Sequence, residues 1–219
     1  MKILALEFSS DQRGVALVES CDGSPPRCLA AAAEVGSRTM QALAMIERAL
    51  AEARMEREAV DCIAVGIGPG SYTGIRAAIS LAQGWQLARD VSLLAVSSVE
   101  CLAAQAQAQG QRGRVHVAID AQRNEVYLAT FGVSENAIQM IEPLHLSSDD
   151  EVRRRAEAGE IVIGPEVNRW TYSGHILFPE AAALGRLAAA RSNFVPGEKL
   201  EPIYLRETTF VKAPPPRLL

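Results

Sequence analysis

Residues 63–76 read Ile63-Ala64-Val65-Gly66-Ile67-Gly68-Pro69-Gly70-Ser71-Tyr72-Thr73-Gly74-Ile75-Arg76. Apolar β-formers lead in and an Ala-rich helical pattern leads out, so the segment predicts a strand, a tight loop and a helix. Glycines let the backbone bend where side chains would clash. Such a loop also aims free N–H groups of the helix start at whatever sits above it, often an anion. Two readings follow: a nucleotide cradle, or a βα turn that binds nothing.

Spacing narrows the choice. A dinucleotide fingerprint needs G-x-G-x-x-G, but here Gly66 and Gly68 are followed by Pro69, Gly70 and Ser71, which puts the third glycine out of register. A P-loop ends in Lys followed by Ser or Thr, and this loop has no lysine. A nucleophile elbow needs Gly two residues either side of Ser, whereas Ser71 has Pro69 and Thr73 there.

The chain has 219 residues, 48% of them hydrophobic, enough for a sizeable core in one domain or two small ones. Its net charge of -4 gives no global signal for nucleic-acid affinity. Cys21, Cys28, Cys62 and Cys101 are scattered without metal-ligand spacing, and most of them read as small buried thiols of a reducing compartment. Met1 to Leu6 starts like a signal peptide, but Glu7 interrupts it, so it reads as a first strand. No apolar run has membrane-spanning length. The expectation is a soluble, cytoplasmic protein with no membrane partner.

Ile3–Phe8, Gly14–Glu19 and Arg27–Val35 predict a three-stranded meander, with turns at 9–14 and 22–26. A helix capped by Ser37 or Thr39 follows, running to Arg54, with apolar residues Met40, Leu43, Ala44, Met45, Ile46, Ala49, Leu50 and Ala53. Strand Val60–Gly66 feeds the glycine loop, and the next helix runs from about Gly74 to Arg89 with a narrow polar line at Arg76, Ser80, Gln83 and Gln86. Both helices are apolar over more than one face, which suggests a partner surface beside the core. Gly84 costs about 1 kcal/mol in a helix interior, which close packing would explain. Val91–Val96 is a strand, and Ser97 with Glu100 offers a capping box for a third helix to Gln109.

The pattern then restarts. Val115–Ile119 ends at Asp120, residues 121–124 form a hairpin turn, and Glu125–Phe131 returns. Strand Ile138–Leu144, an acidic helix start at 147–151, strand Ile161–Gly164 and an Ala-rich helix from Pro179 to Ser192 complete the second part. The tail holds Pro202-Ile203-Tyr204-Leu205-Arg206 and ends near Ala213-Pro214-Pro215-Pro216, which reads as extended or disordered. The chain therefore divides into two related α/β halves, 1–110 and 111–219.

Three segments resemble the TsaB (YeaZ) family: Gly68 to Arg76, the run Ala118-Ile119-Asp120-Ala121-Gln122-Arg123-Asn124-Glu125-Val126-Tyr127, and Pro202 to Arg206. Their order and spacing agree over nearly the whole chain. The resemblance implies a two-lobed actin-like, sugar-kinase and Hsp70-type (ASKHA) fold, each half a mixed sheet with flanking helices. It implies a non-catalytic subunit in the synthesis of N6-threonylcarbamoyladenosine at position 37 of tRNA. The partners implied are a catalytic paralogue, TsaD, a small ATPase, TsaE, tRNA through the complex, and a homodimer when the chain is alone. Pairing through first-half helices would use Met40, Leu43, Ile46, Leu50, Ile75, Ala78, Ala82 and Trp85. The chain departs from the family pattern at Glu7-Phe8-Ser9 (usually Asp-Thr-Ser), at Arg38 (a histidine is common), at Gln83 (Lys is common) and at Gln122 (usually Arg).

The residues themselves allow a sharper chemistry. Glu7 and Asp120 close the strands that open each half, and in an ATPase of this fold two such carboxylates hold Mg²⁺ against phosphates, with Ser9 in the same vestigial phosphate and Mg²⁺ site. That reading makes the chain a stand-alone ATP-dependent phosphotransferase, with Gly68, Gly70, Ser71, Thr73, Gly74 and Arg76 as the phosphate loop. Against it, the turn after Asp120 lacks glycine, and Arg123 and Glu125 fill its space. A strand-end hydrogen-bonding role for Asp120 and a partly solvated Glu7 is the plainer expectation, with no cofactor in this subunit. His116, His145 and His175 lack metal spacing, and Ser71, Tyr72 and Thr73 have no adjacent base, so neither a metal site nor a catalytic residue is expected. Arg153-Arg154-Arg155 is a solvated helix face or a contact to RNA phosphates.

Overall fold

A computed structural model describes residues 1–21, 23–36 and 41–205. The expected cap at Ser37 or Thr39, together with Arg38, Met40, Arg206 and the proline tail, lies outside the described residues.

The first sheet is built from β1 (Lys2–Glu7), β2 (Gln12–Glu19), β3 (Arg27–Val35), β4 (Cys62–Gly66) and β5 (Ser92–Val96). Its order is β3-β2-β1-β4-β5, with β1 antiparallel to β2 and parallel to β4. The second contains β6 (Gly113–Asp120), β7 (Glu125–Val133), β8 (Ile138–Ser148), β9 (Ile161–Gly164) and β10 (His175–Ile176). Its order, β10-β9-β6-β7-β8, repeats the first: a three-stranded meander, then two strands parallel to its opening strand. This is the two-lobed ASKHA arrangement that the resemblance implies.

Each central strand is buried on both faces, so its side chains feed two cores in alternation. Leu4, Leu6, Ile63 and Val65 point to one layer, and Ile3, Ala5, Cys62 and Ala64 to the other. The first layer is covered by α1 (Ala42–Glu52) and α2 (Tyr72–Ala88). The second is covered by α5 (Ala181–Ala189), which comes from the far end of the chain. Conversely, α3 (Ser98–Ala108), which precedes the second sheet, packs Val99, Leu102, Ala103 and Ala106 on it. Its opposite face is covered by α4 (Asp149–Glu157).

This exchange corrects the division at residue 110. The split between sheets falls between Val96 and Gly113, but the helices do not respect it. The chain after α5 also stays with the first half: Val195 N–H donates to the Leu93 carbonyl (2.9 Å), and Ile203 N–H to the Ile67 carbonyl (2.9 Å).

The partner-face expectation needs correction as well. Ile46, Leu50, Ile75, Ala78 and Ala82 are core residues, and Trp85 packs half-buried against the same core. The width of α2 is consumed by the sheet and by the returning segment, where Val195 and Leu200 join the core. Gln83 fixes that segment by donating to the Gly197 carbonyl (2.8 Å). What α2 leaves outside is Tyr72, Thr73, Arg76, Ser80, Gly84, Leu87 and Ala88, and the large apolar side chain that α1 leaves outside is Leu43. A β-carbon at Gly84 would meet nothing within 4 Å, so no packing inside this chain explains that glycine.

Candidate functional site

The glycine loop is held down by the turn between β1 and β2. Ser71 N–H donates to the Ser9 carbonyl (2.7 Å), and Gly70, at φ 142°, lies so close that a β-carbon would overlap that same carbonyl. Ser71 then caps α2, its hydroxyl accepting from Gly74 N–H (3.3 Å). The Gly68 carbonyl turns to α3 and accepts from Ser98 N–H (2.8 Å). Ser97 does not form the expected capping box: its hydroxyl reaches the Gly68 carbonyl (3.4 Å) rather than a helix N–H. The loop thus sets the start of two helices and ties both to β1.

Glu7 is the largest departure from expectation. Neither half-solvated nor facing a ligand, it has no exposed surface. One carboxylate oxygen accepts from Ser9 N–H (2.8 Å) and the other from the Ser98 hydroxyl (3.1 Å). Burial pushes its pKa above the ordinary 4.5, against the pull of these donors. The loop covers it, because Gly66 carries no β-carbon to contest the space. Glu7 is therefore a strut beneath the loop, and the paired-carboxylate reading of Glu7 with Asp120 does not survive.

A cleft of about 960 Å³ opens between the two halves. Ser9, Ser10, Asp11, Gly70, Ser71, Tyr72 and Arg76 line it from the first half, and Ile119, Asp120, Ala121, Gln122, Arg123, Tyr127, Glu166 and Arg169 from the second. Tyr204 closes one side. The three motifs that carry the family resemblance thus meet at one place, although they are far apart in sequence.

Asp120 is fully engaged. It accepts from the Gln122 backbone N–H (2.9 Å) and side-chain amide (3.1 Å), and pairs with Arg169. Glu166 accepts from Asp120 N–H (3.3 Å), and burial raises its pKa. Residues Gln122, Arg123 and Asn124 all adopt left-handed backbone, at φ 64°, 58° and 61°. Only Asn tolerates that region readily, and the others cost about 1–2 kcal/mol each. The turn presents Arg123 to the cleft, where no hydrogen bond or ion pair engages it among the described residues.

Across the cleft, the Tyr72 and Tyr204 rings stack at 5.4 Å with 24° between planes, and the Arg76 guanidinium lies over Tyr72 at 5.2 Å. Burial pushes the Tyr204 hydroxyl above its ordinary pKa, against the pull of Arg76. Sequence reasoning noted each of these residues apart from Glu166 and Arg169. It had no signal for the stacking.

No histidine lines the cleft. His116 is buried elsewhere, with Nδ1 accepting from Arg155 (2.7 Å) and Nε2 2.9 Å from the Glu160 carboxylate. The arginine run of α4 is paired: Arg153 with Asp150, Arg154 with Glu151, and Arg155 with Glu151 and Glu142. Among the described residues, no group of three His, Cys, Asp or Glu can hold a metal ion, and no helix is long and apolar enough to cross a membrane.

Comparison with known proteins agrees with this geometry. Residues 37–197 match the TsaD family model, described as tRNA N6-adenosine threonylcarbamoyltransferase. A protein of Escherichia coli named tRNA threonylcarbamoyladenosine biosynthesis protein TsaB is 30% identical, covering 98% of this chain and 99% of its own length. The protein of the same name from Haemophilus influenzae is 28% identical over 98% of both chains. A Pseudomonas aeruginosa crystal structure, described as an uncharacterized protein with similarity to peptidase YEAZ, superposes with TM-score 0.78 at 31% identity, covering 94% of this chain and 99% of that one. At 30% identity over nearly the whole length of both proteins, the chain belongs to the TsaB (YeaZ) family.

Proposed function

We propose that this protein is a non-catalytic subunit in the synthesis of N6-threonylcarbamoyladenosine at position 37 of tRNA. It acts by binding and supporting a TsaD-type catalytic paralogue, together with a TsaE-type ATPase. The observation that carries the reading is the near-full-length identity to proteins named for that pathway. The cleft chemistry supports the non-catalytic part: Glu7 is buried, Asp120 is consumed by Arg169 and Gln122, and Ser71 has no histidine beside it. The same lack of a histidine speaks against Ser-His peptidase chemistry at the glycine-loop hydroxyls. The outward line of α2, with Ser80, Gly84 and a 90% exposed Leu87, is the docking surface for the paralogue, joined by Leu43 of α1. The isolated chain can cover the same surface by pairing with itself.

Co-expression with a TsaD-type protein tests the assembly, and mass spectrometry of tRNA nucleosides from cells lacking their own TsaB tests the role. Association and restored threonylcarbamoyladenosine are expected. Absence of both overturns the reading, and Mg-ATP turnover by the isolated chain would favour a stand-alone ATPase instead.

A further inference from the structure

The subunit role leaves the cleft between the two halves unused. Its lining combines three carboxylates, Asp11, Asp120 and Glu166, with two aromatic rings, Tyr72 and Tyr204, and the guanidinium groups of Arg76, Arg123 and Arg169. We infer that this cleft holds one unpaired nucleotide of an RNA, its base against the Tyr72–Tyr204 pair and its phosphate against Arg76 and Arg123. The inference rests on the tRNA-modification reading and names the RNA element that this chain would hold.

The aromatic pair is the first reason. Tyr72 is 59% exposed and Tyr204 41% exposed, although both border a cavity. Two stacked rings left open to solvent offer a flat apolar surface, and unpaired bases stack on such rings and on arginine planes. A base inside a duplex has no free face and cannot do so.

Charge is the second reason. Arg169 is spent on Asp120; Arg76, which lies over the Tyr72 ring and bonds the Tyr204 hydroxyl, and Arg123 have no carboxylate partner among the described residues and are the cations placed to meet a phosphate. The carboxylates of Asp11, Asp120 and Glu166 in the same lining repel a phosphate, which leaves the guanidinium groups to receive it. Arg123 rides on a turn of three left-handed residues, a cost that persists where a side chain must be held toward a ligand.

Size is the third reason. About 960 Å³ is at the upper end of small-ligand pockets. It accommodates one nucleotide with its flanking backbone, but not a helix. Elsewhere the arginine run of α4 is neutralised and the net charge is -4, so α4 adds no phosphate track to the cleft. Binding should therefore involve one or two phosphates and show a shallow salt dependence.

The test is fluorescence anisotropy of the full chain with a labelled RNA hairpin carrying an unpaired loop, against the same stem as a blunt duplex. The hairpin should bind about tenfold more tightly than the duplex. Tyr72→Ala and Tyr204→Ala should each weaken it by about tenfold, with Tyr204→Phe retaining it, because the ring and not the hydroxyl is used. Arg123→Asn should weaken binding and reduce the salt slope by about one. Equal affinity for hairpin and duplex, or an unchanged affinity in Tyr204→Ala with native circular dichroism, overturns the inference. So does competition by free AMP at the hairpin's own affinity, which reassigns the cleft to mononucleotides. Pull-down with a TsaD-type protein on the same samples separates the two levels: intact association without hairpin binding rejects the cleft assignment alone, and loss of association by the unsubstituted chain rejects the subunit reading.

Discussion

The carboxylate of Glu7 occupies the space that a β-carbon on Gly66 would need. That single exclusion joins the end of β1 to the end of β4 and lets the glycine loop close over a buried acid. Gly66→Ala should therefore destabilise the chain by about 2–4 kcal/mol, since it displaces a hydrogen-bonded buried carboxyl. Urea unfolding followed by circular dichroism measures this, and a change below 0.5 kcal/mol would remove Glu7 from its role as a strut (on the scale of about 0.5 kcal/mol for neutral surface changes).

The raised pKa of Glu7 has a definite sign. The folded state holds the proton to higher pH than the unfolded state, so this group favours folding below pH 4.5 and loses that contribution as pH rises above it. Glu7→Gln removes the titration. The stability difference, variant minus wild type, should grow in the variant's favour from pH 5 upward until Glu7 ionises in the fold. A difference independent of pH would show that Glu7 titrates normally.

His116 works in the opposite direction. Burial and then the Arg155 charge push its pKa below 6.5, with Glu160 and Glu142 opposing. The unfolded chain binds the proton more readily, so stability should fall as pH drops below 6.5. Arg155→Met deletes donors to His116, Thr130, Glu142 and Glu151. It should cost about 2–3 kcal/mol and raise the His116 pKa, as read by NMR titration of the imidazole.

Core and surface positions on α2 should separate cleanly. Ala78→Arg places an unpaired charge in the core and should cost about 4 kcal/mol or more, enough to unfold a marginal domain. Gly84→Ala, in open space on the outer face, should stabilise the isolated chain by about 1 kcal/mol. Leu87→Arg should leave stability unchanged and weaken association with a TsaD-type partner. Full association of Leu87→Arg and of Leu43→Arg would move the docking surface off these helices.

Arg123→Gly should raise stability by up to about 1 kcal/mol, because glycine takes the left-handed backbone without the side-chain clash. Thermal unfolding checks this, and a lower midpoint would mean that Arg123 makes a stabilising contact.

Much of the fold was legible because it is local. The segment Arg27–Val35 after its Gly-Ser-Pro-Pro turn and the short apolar run Ile161–Gly164 give the bounds of β3 and β9 as observed. The meander followed by alternating elements appears twice, and so do the sheets. What was not legible is non-local. An Ala-rich helix looks the same whichever sheet it covers, so nothing in 181–189 records that it returns to the first half. The breadth of α2 looked like a partner face because residues 195–200, which cover part of it, lie far along the chain. Glu7, at a strand end beside two serines, has the local pattern of a solvated acid, and only the loop folding over it makes it buried. In the cleft the motifs were readable one by one, but their meeting was not, since it depends on the packing of the two sheets.

The exchange of α3 and α5 makes each half the keeper of the other's missing wall. A chain cut between Gln109 and Gly113 yields one fragment whose α3 lacks its sheet and another whose α5 lacks its own. Neither piece can finish its core in isolation, yet together they carry every wall both cores require. The molecule is two-lobed in outline but a single clasp in its energetics, so the cleft between the lobes is set by the closing of that clasp rather than by a free hinge.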